Sequence, residues 1–236
     1  MRRALLIATL SLLAFPAAAN AASVKLVECV PALEPGERSA TFEARMHPAR
    51  GSERMQVRFT LQERRQGALP GWRRVAASGL DEWLTSYPDV RRFSYSKTVR
   101  NLSAPASYRM VVRFRWLGDD GELLRRKRAR SRSCRQPDLR PDLVATDIAA
   151  VDGGYEVALR NRGRTAAGPF AVAFAVGDLV LEPLALEGLA AGERRVVSFS
   201  GPPCRPGEQL TATVDAGAAV DERDEDGNVA VAPCPG

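Results

Sequence analysis

The stretch Tyr108-Arg-Met-Val-Val-Arg-Phe-Arg-Trp116 decides the fold. Tyr108, Met110, Val112, Phe114 and Trp116 recur at every second position, and Arg109, Val111, Arg113 and Arg115 fill the gaps. A β-strand turns successive side chains to opposite faces. This segment is therefore a strand with one dry face and one arginine-bearing face. Gly118-Asp-Asp-Gly121 follows it and supplies a hairpin turn.

The same pattern extends outward. Short runs rich in Val, Phe, Tyr and Trp, with turn residues between them, predict strands over 24–30, 40–46, 55–63, 72–77, 93–99, 108–117 and 123–132. Seven strands in about 110 residues make a β-sandwich. The approach to the central strand, Leu102-Ser-Ala-Pro-Ala-Ser-Tyr108, resembles the tyrosine corner of fibronectin type III domains. That resemblance spans residues 24–135 and implies a sandwich in which the Tyr108 hydroxyl bonds back across the corner.

Cys134-Arg-Gln-Pro-Asp-Leu-Arg-Pro-Asp-Leu143 carries two prolines four positions apart, each favouring extended chain before it. We place a linker at 136–140 and a second domain at 141–236. Residues 24–140 hold 25 Lys and Arg against 13 Asp and Glu, a formal +12, whereas residues 141–236 hold 7 against 15, a formal −8. The whole-chain charge of +6 hides a basic half joined to an acidic one. Opposite charges of this size attract across the chain or face different partners.

The second half opens with Pro141-Asp-Leu143 and continues through Tyr155 to Asn161-Arg-Gly163, Leu189-Ala-Ala-Gly-Glu193, Ala212-Thr-Val-Asp215 and Val220-Asp-Glu-Arg-Asp-Glu-Asp-Gly-Asn228. In that order these segments resemble CARDB, the cell-adhesion-related domain found in bacteria, across 141–232. The family's paired asparagines near the end are here Gly227-Asn228. The resemblance implies an immunoglobulin-like sandwich of seven strands. The fold class expected for the chain is thus all-β, as two tandem immunoglobulin-like or fibronectin type III-like sandwiches. Asn161 and Gly163 suit a left-handed turn between strands.

Met1-Arg-Arg3, an apolar run over 4–15, Pro16 and the small residues Ala19-Asn-Ala21 read as a signal peptide of a secreted protein, residues 1–21. The expected location is extracellular or periplasmic. No other segment is long and apolar enough for a transmembrane span. Exported chains meet oxidising conditions. The four cysteines allow three pairings, and Cys29–Cys134 with Cys204–Cys234 keeps each bridge within one half. A four-thiolate zinc site wants close C-x2-C pairs, which the sequence lacks.

Four features carry candidate chemistry. Arg126, Arg128, Arg130 and Arg132 fall on one face of a strand over 123–132, where guanidinium groups suit anion binding. Trp72, Trp83, Tyr87 and Tyr95 suit either a core or a sugar-stacking surface. Glu222, Asp224, Asp226 and Gly227 sit at positions one, three, five and six of an EF-hand-like loop, but Pro233 stands at position twelve. The expectation there is a solvated turn that keeps an edge strand from pairing, with no metal and no cofactor. His47 is the lone histidine, and the nucleophile elbow of hydrolases is absent. The expected function is an exported, non-catalytic binding or adhesion module. Its expected partner is a protein or surface polymer, without specific nucleic acid recognition. The competing readings are a polyanion- or carbohydrate-binding envelope protein and an extracellular hydrolase.

Overall fold

The computed structural model describes residues 21–66 and 71–235, so the expected signal peptide lies, but for Ala21, outside the described residues. Among the described residues, one short 3-10 turn, Pro35–Glu37, interrupts an otherwise all-β fold. The first domain contains β1 (Ala22–Val30), β2 (Ser39–Met46), β3 (Arg54–Arg65), β4 (Arg73–Val75), β5 (Leu84–Thr85), β6 (Phe93–Arg100), β7 (Ala106–Leu117), β8 (Leu123–Arg130) and β9 (Cys134–Gln136). One sheet has the order β1-β2-β6 and the other β4-β3-β7-β8, with β5 added to β3 and β9 to β7. The seven expected strands are present. The two additional ones, β5 and β9, are two and three residues long, too short to show a period.

The inner faces of these sheets bury Phe42, Phe59, Met110, Phe114 and Trp116. A fully buried large apolar side chain contributes about 1.5–3 kcal/mol. Trp116 satisfies its one polar atom by donating from Nε1 to the His47 carbonyl at 2.7 Å. The corner forms as expected. The Tyr108 hydroxyl lies 3.1 Å from the Ser103 carbonyl, and it also donates to Glu63 Oε1 at 2.6 Å. Glu63 stands directly opposite Tyr108 on β3.

The second domain contains β10 (Leu143–Val151), β11 (Gly154–Asn161), β12 (Phe170–Val176), β13 (Leu179–Val180), β14 (Leu184–Leu186), β15 (Arg194–Ser200), β16 (Gln209–Val214) and β17 (Val229–Pro233). Its sheets run β10-β11-β15 and β13-β12-β16-β17, with β14 beside β12. Phe174 packs between Tyr155 and Phe199, at 5.0 and 5.2 Å between ring centroids.

The structure differs from the sequence reading at two joints. Gln136, assigned to the linker, is the last residue of β9 and is buried. Its Nε2 donates to the Val30 carbonyl at 3.2 Å. Asn161 and Gly163 do not adopt left-handed backbone. Asn161 is a buried staple instead. Its Oδ1 accepts from the Gly163 and Asp142 N–H groups at 2.8 and 3.2 Å, and its Nδ2 donates to the Thr165 and Leu189 carbonyls, both at 2.9 Å. Gly163 is required by space, because a Cβ there would stand 2.4 Å from Pro141 Cα.

Both disulfides pair within a domain. Cys29 of β1 joins Cys134 of β9, and Cys204 joins Cys234 just past β17, with Cα–Cα distances of 5.4 and 6.0 Å.

Candidate anion-binding face

The outer face of the β4-β3-β7-β8 sheet is built from cross-strand rows. Antiparallel pairing sets directly opposed residues on one face. Arg58 of β3 lies opposite Arg113 of β7, which lies opposite Arg128 of β8. In the next row Gln56, Arg115 and Arg126 align, and Val111 faces Arg130. Val111 is 3% exposed although it points outward. Arginine stems pack along apolar surface in this way while their charged ends stay in water.

Two tryptophans edge this pavement. Arg115 lies 4.0 Å over the Trp83 ring, and Arg109 lies 4.1 Å over the Trp72 ring. Such stacking orients a guanidinium and leaves its donor edges facing outward. A groove of about 480 Å³ opens here, lined by Trp83, Arg113, Arg115, Arg126 and Arg128.

The acids nearby do not neutralise this charge. Asp81 pairs with Arg74 at 2.7 Å and more loosely with Arg58 at 3.8 Å. Burial opposes the ionised form of Asp81, yet the hydrogen bonds from Thr60 and Arg74 and the charges of Arg74 and Arg58 hold its pKa below the ordinary value. Among the described residues, Arg113, Arg126, Arg128 and Arg130 have no carboxylate partner. The crowding registers on Arg109. Its pKa is lowered by burial first and then by the charges of Arg130, Arg128 and Arg64. Like charges directly opposite on a sheet are unfavourable, so these rows carry repulsion that the surrounding acids leave in place.

Of the four arginines singled out in the sequence, Arg126, Arg128 and Arg130 stand together on this face. Arg132 does not share the ladder, because β8 ends at Arg130. The cause is Ser131, whose Oγ accepts the Met110 N–H at 2.9 Å and takes the place of a backbone carbonyl. The sequence reading did not join Arg58, Arg113 and Arg115 to the other three. The hairpin at 118–121 was the signal, but a bulge between Trp116 and Leu117 shifts the register by one. Counting straight back from the turn puts the wrong residues on the face.

The aromatic group named in the sequence is dispersed. Trp72 and Trp83 border the arginine face, Tyr87 is exposed at 85%, and Tyr95 sits on β6 in the opposite sheet, 6.2 Å from Phe59. His47 lies at the end of β2, with Nδ1 3.3 Å from the Arg91 carbonyl.

The acidic segment 220–228 is more than a solvated turn. Glu222 is buried, with Oε2 accepting the Leu143 N–H and Oε1 accepting from Asn228 Nδ2 at 2.9 Å. Burial raises its pKa, the two hydrogen bonds oppose that rise, and Glu225 and Asp215 add to it. Asp221 pairs with Arg140 at 2.8 Å, and Arg223 pairs with Asp142. The segment therefore clasps the start of the second domain, while Asp224, Glu225 and Asp226 remain exposed. The sequence reading missed this because alternating acids look equally solvated until the fold turns one inward.

Comparison with known proteins agrees with the second sandwich. Residues 136–232 match the CARDB family model and form a CARDB domain. No curated protein matches the chain. Among solved structures, a domain of a Methanosarcina acetivorans protein named for the cell surface is 23% identical, covering 41% of this chain and 91% of that one, with a TM-score of 0.38. The CARDB domain of a Pyrococcus furiosus protein, solved with di-metal ions, is 25% identical over 39% of this chain and 84% of its own, with a TM-score of 0.32. A class 5 fimbriae chaperone, CfaA, is 9% identical over 89% of this chain and 98% of its own, with a TM-score of 0.27.

Proposed function

We propose that this protein is an exported, non-catalytic binding module that holds an anionic surface polymer on the outer face of its first domain. The observation that carries the reading is the pair of cross-strand rows Arg58-Arg113-Arg128 and Arg115-Arg126 beside a tryptophan, in which, among the described residues, only Arg58 has a carboxylate partner, Asp81 at 3.8 Å. Guanidinium groups bind phosphate, sulfate and carboxylate through parallel N–H bonds. A chain of such groups laid across the strands relieves the repulsion between rows. Two disulfides suit an oxidising compartment outside the cytoplasm.

The test is retention of the mature protein on immobilised polyphosphate as salt rises. Reversing Arg113 and Arg128 to Glu should move elution to markedly lower salt and flatten the salt dependence by about one unit per lost contact. Circular dichroism checks that the variant keeps its β fold. Unchanged elution with an intact fold would exclude this face as the contact.

A further inference from the structure

We infer that the second domain holds a separate oxyanion site, formed by Arg160, Arg162 and Arg194 on the outer side of β11 and β15, for a phosphate or sulfate group. The domain is acidic, yet four of its seven basic residues border one open groove of about 490 Å³: Arg160, Arg162, Arg194 and Arg195. Thr146, Ala158 and Val196 help line it, and among the described residues no carboxylate does.

The register of the two strands sets Arg160 directly opposite Arg194. A like-charged pair in that position opposes sheet formation unless something lies between. Nearby acids are engaged elsewhere. Glu193 binds Arg195 at 2.6 Å and the Ala190 N–H at 2.7 Å, and Asp142 takes Arg223. Among the described residues, Arg160, Arg162 and Arg194 have no carboxylate partner. Arg160 adds a second, independent sign. Its Nε is buried without a hydrogen-bond acceptor, and a buried donor left unmade is unfavourable.

The geometry selects the ligand class. The Nε and Nη edge of a guanidinium is a fork that takes two oxygens of one anion. Arg160 on β11, Arg194 on β15 and Arg162 just past the end of β11 border one groove from three separate positions. A tetrahedral phosphate or sulfate offers oxygens to all three, whereas a carboxylate offers two in one plane. The net local charge also favours a dianion over a single carboxylate. This site is distinct from the arginine face of the first domain, and it does not depend on that face.

The experiment is a nuclear magnetic resonance titration of the full mature chain, with inorganic phosphate in one arm and short-chain polyphosphate in the other. Sodium chloride at matched ionic strength is the control. The inference expects saturable movement of the Arg160 Nε–H signal and of the amides at 158–162 and 194–196. Arg194→Gln, a change at an exposed position, should weaken that binding at least tenfold and leave any movement on β7 and β8 intact. Saturation by inorganic phosphate identifies an ion-sized ligand, and saturation by polyphosphate alone identifies a polymer-borne group. Either outcome supports the site. Movement confined to β7 and β8 overturns it and leaves the first face standing, and movement confined to 158–162 and 194–196 does the reverse. Equal movement with chloride shows mere screening and overturns it. So does movement driven by protein concentration alone together with the amides at 221–226, because a second copy's acidic turn would then be the occupant.

Discussion

Asn161 Nδ2 donates to the Leu189 carbonyl across the second sandwich at 2.9 Å, one of four hydrogen bonds made by a side chain with no exposed surface. It ties the end of β11 to the turn before β15 and to the first residues of the domain. Asn161→Ala would leave the Asp142 and Gly163 N–H groups short of an acceptor. Each buried group left unpaired costs about 1–3 kcal/mol, so the loss should be about 3 kcal/mol or more. Urea unfolding of the second-domain transition measures it. A shift under about 1 kcal/mol would mean that water replaces the side chain.

Glu222 should separate size from charge. Glu222→Ala removes the acceptor of the Leu143 N–H and the Asn228 amide, and should cost about 1–3 kcal/mol. Glu222→Gln should cost far less, because Asn228 Oδ1 lacks a partner and an amide flip lets it accept from the new side chain. The pH dependence follows from the raised pKa of Glu222. The folded state holds this proton more tightly than the unfolded state, so its contribution to stability is full below the ordinary carboxylate value and falls as pH rises through the folded value. The difference in unfolding free energy between the Gln variant and the parent should therefore move in favour of Gln across that window.

The corner tyrosine should ionise late. Burial, followed by its bond to Glu63, pushes the Tyr108 pKa up to about 12. Tyr108 binds its proton more tightly when folded, so its contribution is present below the ordinary tyrosine value and is lost as pH rises through about 12. Ultraviolet titration of the parent and of Tyr108→Phe should differ by a single late step. The variant should also lose about 1 kcal/mol, the usual net value of one hydrogen bond, since Glu63 keeps Arg65 at 2.9 Å.

The two disulfides should contribute unequally. Cys29–Cys134 closes a separation of 105 residues and Cys204–Cys234 one of 30. In the chain-entropy account, opening the longer loop costs about 4–5 kcal/mol and the shorter about 3–4 kcal/mol. Paired Cys→Ser variants, followed by calorimetry, give both values. A larger loss for the second bridge would show that native packing around it outweighs loop length.

The strands of the first domain were legible because each carries its own alternation, and Tyr108 to Trp116 carries it over nine positions. The corner was legible because its hydrogen bond closes over five residues. What escaped the sequence depends on register or on long-range burial. The bulge at Trp116 and Leu117 decides which arginines share a face, and no local composition marks it. Glu222 reads like its acidic neighbours, and its partner Leu143 lies 79 residues earlier. Arg160 and Arg194 meet only because β11 pairs with β15 across 34 positions of chain. Asn161 was noticed for its turn propensity, but its task is set by carbonyls from two other loops.

The bridge between β1 and β9 also fixes how the first domain carries load. Cys29 and Cys134 stand at its first and last strands, so tension entering ahead of Cys29 and leaving beyond Cys134 passes through two sulfur atoms. The chain between them is short-circuited. Fully extended, 105 residues would span roughly 350 Å, and all of that length is withheld while the bridge is oxidised. A pull that would otherwise strip the arginine face strand by strand then leaves it standing. In a reducing environment the same pull would pay out that length, and the basic face would be lost with it. The integrity of that basic face under load is thereby tied to the redox state around it.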